Sequence, residues 1–199
     1  MVWNKFNINE LSADDYNRWF SLASLEKQKK INRFRLEKDK KRSVAGEMLV
    51  KKNISEILKI PPESIKISTE KSGKPYIENL AIHFNLSHSG DWVVCALHNK
   101  PIGIDIEKIT PINLKIAKRF FTQEEQFYIF NKSPEENDFT ATPTNEILKR
   151  FFEIWTAKEA YLKFTGEGLC EKLNELNINR KNINVYYFDD YIVSIYIEK

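Results

Sequence analysis

Residues 101–109 read PIGIDIEKI, and the rest of the chain organises around them. Isoleucine alternates with an acid from Ile104 to Glu107, the period of a β-strand. On such a strand Asp105 and Glu107 share one face, about 7 Å apart, while Ile104, Ile106 and Lys108 take the other. Two carboxylates so placed repel each other unless a cation lies between them. Hard oxygen donors at this spacing suit Mg2+, which keeps several waters and accepts phosphate oxygens. The competing reading is a solvent-exposed edge strand of alternating polarity.

Upstream, Ile82–Leu86 and Trp92–Leu97 are strand-like and turn at Ser89-Gly90-Asp91. Asn99-Lys100-Pro101 then leads into Ile102–Ile109, so the three runs are expected to form an antiparallel meander. Glu37–Lys59 predicts a long helix with Val44, Met48, Leu49, Ile54, Ile57 and Leu58 facing inward, stopped by Pro61-Pro62. Val2–Ile8 is a first strand, and Ser12 with Asp14 and Asp15 opens a helix with Leu11, Tyr16, Trp19, Phe20 and Leu22 on its apolar side.

Downstream, Asn113–Arg119 and Gln123–Phe130 read as helices, and the polar stretch Asn131–Asn145 as a surface loop. Asn145–Phe164 is a second long helix, with Gly166 and Gly168 past its end. Ile183–Phe188 and Tyr191–Ile197 form a terminal hairpin around Asp189-Asp190. The expectation is an α+β protein of two similar lobes, 1–100 and 101–199, each a long helix packed on a small antiparallel sheet.

Composition narrows the class. The 199 residues are 42% hydrophobic and 30% charged, which excludes intrinsic disorder. No apolar run approaches the ~20 residues that cross a bilayer, and Met1–Lys5 is not expected to open a secretory signal. Cys95 and Cys170 form no CxxC pair, as expected of ordinary thiols in a reducing compartment. A soluble, cytoplasmic, monomeric protein is expected. Between Lys27 and Arg42 nine basic side chains face only Glu37 and Asp39, a surplus of seven that leaves the rest of the +3 chain at −4. Such a tract is either a solvated helix face or a seat for an anion.

Two further motifs carry chemistry. In FFEIWTAKEAYLKFTGEG (151–168), Trp155, Glu159 and Lys163 recur every fourth residue, one stripe of a helix. Glu159 can supply a metal ligand or a base, and Lys163 can neutralise a phosphate; a surface Glu–Lys pair is the plain alternative. In HFNLSHSGDWVVCAL (83–97), Ser87, His88, Ser89 and the amides near Gly90 make an anion-binding corner. No G-x-S-x-G elbow accompanies His88, which argues against a serine nucleophile. His83 and His98 read as structural, and Cys95 as core. SGKP (72–75) is too short for a Walker A loop but can present Lys74 on a turn.

SGKPYI, HFNLSHSGDWVVCAL, PIGIDIEKI, IAKRFFTQEE and FFEIWTAKEAYLKFTGEGL, in this order, closely resemble the 4'-phosphopantetheinyl transferases of the surfactin-synthetase-activating (Sfp-like) type. The resemblance runs from about Glu26 to Leu169. It implies transfer of the phosphopantetheine arm from coenzyme A to a serine of an acyl or peptidyl carrier protein, releasing adenosine 3',5'-bisphosphate. It further implies two α+β lobes with coenzyme A in the cleft between them. Carried over by position, Asp105, Glu107 and Glu159 would hold Mg2+ (or Mn2+ as a substitute), and Glu159 would serve as base. His88 and Lys163 would meet the pyrophosphate. Lys27, Lys30, Arg42, Ser43, Lys74 and Ser87 would line the nucleotide end, and Glu125 matches a family acid without a settled role. The loop 131–145 is longer than is usual in the family, and the segment after Leu169 shorter.

The chemistry agrees with the residue types. Attack of serine on a pyrophosphate needs charge neutralisation more than covalent catalysis. Carriers of this class are acidic around the modified serine, so Lys118 and Arg119, in TPINLKIAKRFFT (110–122), are the expected docking charges. The rivals are a metal-dependent nuclease and a nucleic-acid-binding module using residues 27–42. Lys108 follows Glu107 directly and points away from it, which disfavours the nuclease; the binding module leaves the acidic trio unexplained. Neither nucleic acid nor membrane is therefore expected as a partner.

Overall fold

The computed structural model describes all residues except 71, 72, 167, 169–172, 177, 179 and 199, with the backbone alone at 134. Ser72, Leu169 and Cys170, named above, lie outside the described residues. The chain divides into two compact units, Met1–Ile102 and Gly103–Ile197.

The first unit contains β1 (Val2–Asn7), α1 (Ala13–Ser21), α2 (Leu25–Asn32), α3 (Glu37–Leu58), β2 (Ile67–Thr69), β3 (Pro75–Ile77), β4 (His83–Ser89) and β5 (Trp92–His98). Ser12 caps α1 and Ser24 caps α2, each side chain accepting a backbone N–H of the first turn. The helix α3 has no side-chain cap and ends at Lys59 in the left-handed region, just before the two prolines. Its inner face (Ala45, Leu49, Val50, Ile54) packs on Phe84, Val93, Cys95 and Leu97 of the sheet. Trp19, Leu11 and Ile31 pack against Val44 and Met48 of the same helix. Each such buried aliphatic side chain contributes about 1.5–3 kcal/mol. Ile57 and Leu58, expected inside, are 47% and 38% exposed, because the last turn of α3 runs past the apolar surface.

The second unit contains β6 (Gly103–Lys108), α4 (Lys115–Phe120), α5 (Gln123–Phe130), α6 (Asn145–Thr165), β7 (Ile183–Phe188) and β8 (Tyr191–Tyr196). Thr144 caps α6, and Gly166 closes it at φ 80°, where a side chain would be strained. The terminal hairpin forms as expected, Phe188 opposite Tyr191.

The expected meander does not form. β5 pairs antiparallel with β4 on one edge and with β1 along six residues on the other, so neither edge is left for β6. β6 pairs instead with β8, giving the orders β1-β5-β4 and β6-β8-β7. In both sheets a strand from before the long helix pairs with the last strand of the hairpin after it. The repeat of helix then strands thus omitted one strand per unit, the one preceding each helix.

Candidate active site

In the first unit, Lys27 and Lys30 of α2, Arg42 and Ser43 of α3, and Ser87 and His88 of β4 line one pocket of about 440 Å3, with Phe34, Leu86 and Val93 as its apolar part. Gly46 is part of this lining. A Cβ there would stand 3.3 Å from Leu86 Cδ1, so helix and strand lie close, and the turn before Gly46 comes beside Ser87 and His88. Arg42 also fastens the β4–β5 turn: Nε and Nη2 donate to Gly90 O (2.9 and 2.5 Å), and Nη1 donates to Asp39 (2.9 Å). Lys38 reaches Asp91 at 2.7 Å, and Lys40 pairs with Glu37. Part of the basic tract therefore answers to acids of its own unit, while Lys27 and Lys30 belong to the pocket. Lys74 is not among the residues lining it. It precedes β3, half-buried, and desolvation lowers its ammonium pKa against the opposing pull of Glu70. His98 Nδ1 accepts the Lys100 amide, a structural bond as expected. Burial pushes the Cys95 thiol up to about 12, with Asn53 opposing, so it stays an inert core thiol.

The second unit assembles its chemistry on β6 and α6. Asp105 lies opposite Ser194 of β8, and opposed residues of an antiparallel pair share a face. Ser194 Oγ lies 2.7 Å from Thr156 Oγ1 on α6, so Asp105 also faces α6. Glu107 shares this alternation and is half-buried, whereas Asp105 is only 4% exposed. Asp105 is no surface carboxylate. Its Oδ1 accepts from Lys163 Nζ at 2.6 Å. Glu159, one turn before Lys163, is half-buried; burial and then the charge of Asp105 raise its pKa, with Lys163 partly offsetting them. Gly103 sets the spacing: a Cβ there would lie 2.7 Å from Phe164 N and still closer to the Ala160 carbonyl oxygen. Only glycine lets β6 approach the α6 backbone this closely.

The structure thus brings Asp105, Glu159 and Lys163 together. Among the described residues no three His, Cys, Asp or Glu side chains converge into a ready-made metal centre, and Lys163 supplies the positive charge beside Asp105. The donor set nevertheless fits a hard divalent cation. It is all carboxylate oxygen, and the charge of Asp105 adds to burial in raising the cost of ionising Glu159.

Glu125 has a structural place. It completes the capping box of α5 with Thr122, and its Oε2 pairs with Lys158 at 2.8 Å. Lys158 is 2% exposed and also donates to the carbonyls of Leu173 (2.5 Å) and Leu176 (3.1 Å). Lys158 has no role among the sequence expectations. Its signal was present: Phe151, Ile154 and Leu162 flank it at helical spacing, and a lysine on an apolar stripe needs a buried partner. Lys118 and Arg119 line a groove of about 450 Å3 with Lys115 and residues 137–140. Lys118 Nζ sits 5.9 Å from the Phe139 ring centre, and Leu114 and Phe121 of the same stretch are buried in the core.

Comparison with known proteins gives the family of the chain. Residues 10–100 match the model of the 4'-phosphopantetheinyl transferase N-terminal domain, and residues 101–196 that of the 4'-phosphopantetheinyl transferase superfamily. The chain is 39% identical to 4'-phosphopantetheinyl transferase Sfp of Bacillus subtilis (strain 168) over 178 residues, 89% of this chain and 75% of that protein. It is 39% identical to 4'-phosphopantetheinyl transferase gsp of Aneurinibacillus migulanus over 172 residues, 86% of this chain and 68% of that protein. It is 34% identical to 4'-phosphopantetheinyl transferase HetI of Nostoc sp. over 156 residues, 75% of this chain and 61% of that protein. With both family models matched in order along its two units, the chain belongs to the 4'-phosphopantetheinyl transferase superfamily.

Proposed function

We propose that this protein transfers the 4'-phosphopantetheine group of coenzyme A to a serine hydroxyl of an acyl or peptidyl carrier protein. The observation that carries the reading is the Asp105–Glu159–Lys163 cluster, held on β6 and α6 by the contact at Gly103. Asp105, Glu107 and Glu159 would hold Mg2+, with Mn2+ as a substitute; bound there, the ion would neutralise phosphate oxygens as charge builds in the transition state. Lys163 is placed to exchange Asp105 for a phosphate oxygen, and Glu159, half-buried one turn before it, would accept the serine proton. Lys27, Lys30, Arg42, Ser43, Ser87 and His88 take the phosphates of the nucleotide, supported by their sharing one pocket. Lys74 stands outside that lining and contributes, in this reading, at most one further cation. Lys118 and Arg119 meet the acidic carrier, supported by the surplus of positive charge in their groove. The buried free thiol of Cys95 suits a reducing, cytoplasmic setting, and a single copy carries every residue named.

The test is mass spectrometry of an apo carrier protein incubated with this protein, coenzyme A and Mg2+. The expected result is a gain of one phosphopantetheine per carrier that disappears in EDTA and returns with Mg2+. An unmodified carrier across acyl and peptidyl types would overturn the reading.

A further inference from the structure

We propose that β7 is the contact through which two copies of this chain associate, its open edge pairing antiparallel with the β7 edge of the second copy. In the order β6-β8-β7 the strand β7 lies at the margin of its sheet. Ile197 N donates to Asn182 O (3.0 Å), one step beyond the opposed pair Ile183–Tyr196. Hydrogen-bonded pairs alternate along an antiparallel ladder, so Asn184, Tyr186 and Phe188 turn their backbone groups toward β8. Ile183, Val185 and Tyr187 turn theirs outward, and among the described residues nothing bonds the outward groups of Val185 and Tyr187. Their side chains are 37% and 50% exposed, on the face where Tyr187 Oη donates to Glu153 (2.6 Å) and Lys149 Nζ lies 4.8 Å from the Tyr187 ring centre. A strand at a sheet margin is ordinarily blunted by charge, proline or a covering element. β6, at the other margin, carries Asp105, Glu107 and Lys108, whereas β7 reads INVYYF, uncharged and rich in β-formers. The charges lie at its two ends instead, Arg180-Lys181 before it and Asp189-Asp190 after it. That asymmetry selects a second copy as the occupant. With two β7 strands antiparallel and Val185 opposite Tyr187, Tyr186 lies on the two-fold axis and the basic end of each strand meets the acidic end of the other. Lys108 takes Asp190 at 3.1 Å, so Asp189 is the acid at that end facing the second copy. A parallel pairing would set like charges together. The antiparallel register also makes two aromatic–β-branched cross-strand pairs, each worth a few tenths of a kcal/mol or more. One copy holds the Asp105–Glu159–Lys163 cluster, with Asp105 two strands away from β7. The association is therefore separate from the chemistry, and it departs from the monomer expected of the sequence.

The experiment is sedimentation velocity of the full chain from about 10 μM to about 1 mM, because one strand edge buries less than a standard interface and the pairing is expected to be weak. The 23.5 kDa chain should shift toward twice that mass as its concentration rises. Val185→Pro removes an outward N–H and leaves the β8 ladder intact, so it should keep the wild-type circular dichroism while dimerisation weakens about ten-fold or more. Tyr186→Cys tests the register. A non-hydrogen-bonded pair on the two-fold axis sets its two Cα atoms about 4.5 Å apart, within disulfide reach. Under mild oxidation this variant should form a covalent dimer that neither Asn184→Cys nor the wild type, with its own Cys95 and Cys170, forms. A wild-type chain that stays monomeric at about 1 mM, or a folded Val185→Pro protein that dimerises as the wild type does, would overturn the proposal. Equal cross-linking of the two cysteine variants would overturn it as well, since it removes the antiparallel register on which the charge argument stands.

Discussion

Gly103→Ala removes no functional group, yet it should disable the second unit's site. The added methyl would lie 2.7 Å from Phe164 N and 3.0 Å from the Ala160 carbonyl carbon, with the Ala160 oxygen nearer still. All three atoms are backbone of a 21-residue helix, so no side-chain rotation relieves the clash. Restoring van der Waals contact requires β6 and α6 to part by roughly 1 Å, and overpacking of this kind costs typically 1–3 kcal/mol or more. At about 2–4 °C per kcal/mol for a chain of this size, the melting temperature should fall by roughly 2–12 °C. The same displacement separates Asp105 from Lys163 and Glu159, and a 1 Å misplacement can cost about a hundred-fold in rate. Gly46→Ala is the matched control. Its methyl meets only the tip of Leu86, at 3.3 Å, and alanine favours the helix interior by about 1 kcal/mol. Melting curves and carrier-transfer kinetics of both variants decide the matter. A Gly103→Ala protein with wild-type melting and wild-type kcat would refute the claim that this contact sets the site.

Lys158→Met leaves Glu125, 13% exposed, without its cation, which should cost about 1.5–3 kcal/mol in denaturant unfolding, whereas Glu125 as a pure catalytic acid predicts intact stability. Lys118→Glu with Arg119→Glu should raise KM for the carrier severalfold, leave KM for coenzyme A unchanged, and lose its effect at high salt; unchanged carrier kinetics at low salt would remove this groove from docking. Glu159 has a raised folded-state pKa, so the native protein binds its proton more tightly than the unfolded chain does. The contribution of Glu159 to stability is thus greatest below its ordinary value of 4.5 and declines as pH rises through the folded-state value. In metal-free protein, melting temperature against pH should show wild type losing ground to Glu159→Gln over that interval, and a constant difference would contradict the shift.

The sequence by itself determined both long helices, the strands that pack on them and the family, but not α2, β2 or β3. Periodicity and stop signals located both long helices, because Pro61-Pro62 and Gly166 act locally on the backbone whatever surrounds them. Alternation in PIGIDIEKI placed Asp105 and Glu107 on one face before any sheet was known, since side-chain direction on a strand depends only on parity. Pairing was not legible in this way. The runs before and after Pro101 look like neighbours in a meander, and only the tertiary structure shows β1 already occupying the free edge of β5. Burial was equally hidden: Ile57 and Leu58 fit the apolar stripe but lie past the surface it covers, while Lys158 and Glu47 look like surface charges and are buried. Which cations of the 27–42 tract belong to the pocket, and which to Asp91, Glu37 and Asp39, also waited on the fold. Local backbone preference is written in neighbouring residues, but strand partners and the seat of a desolvated charge such as Lys51 are fixed by residues 29 to 95 positions away, whose proximity exists only once the chain has folded.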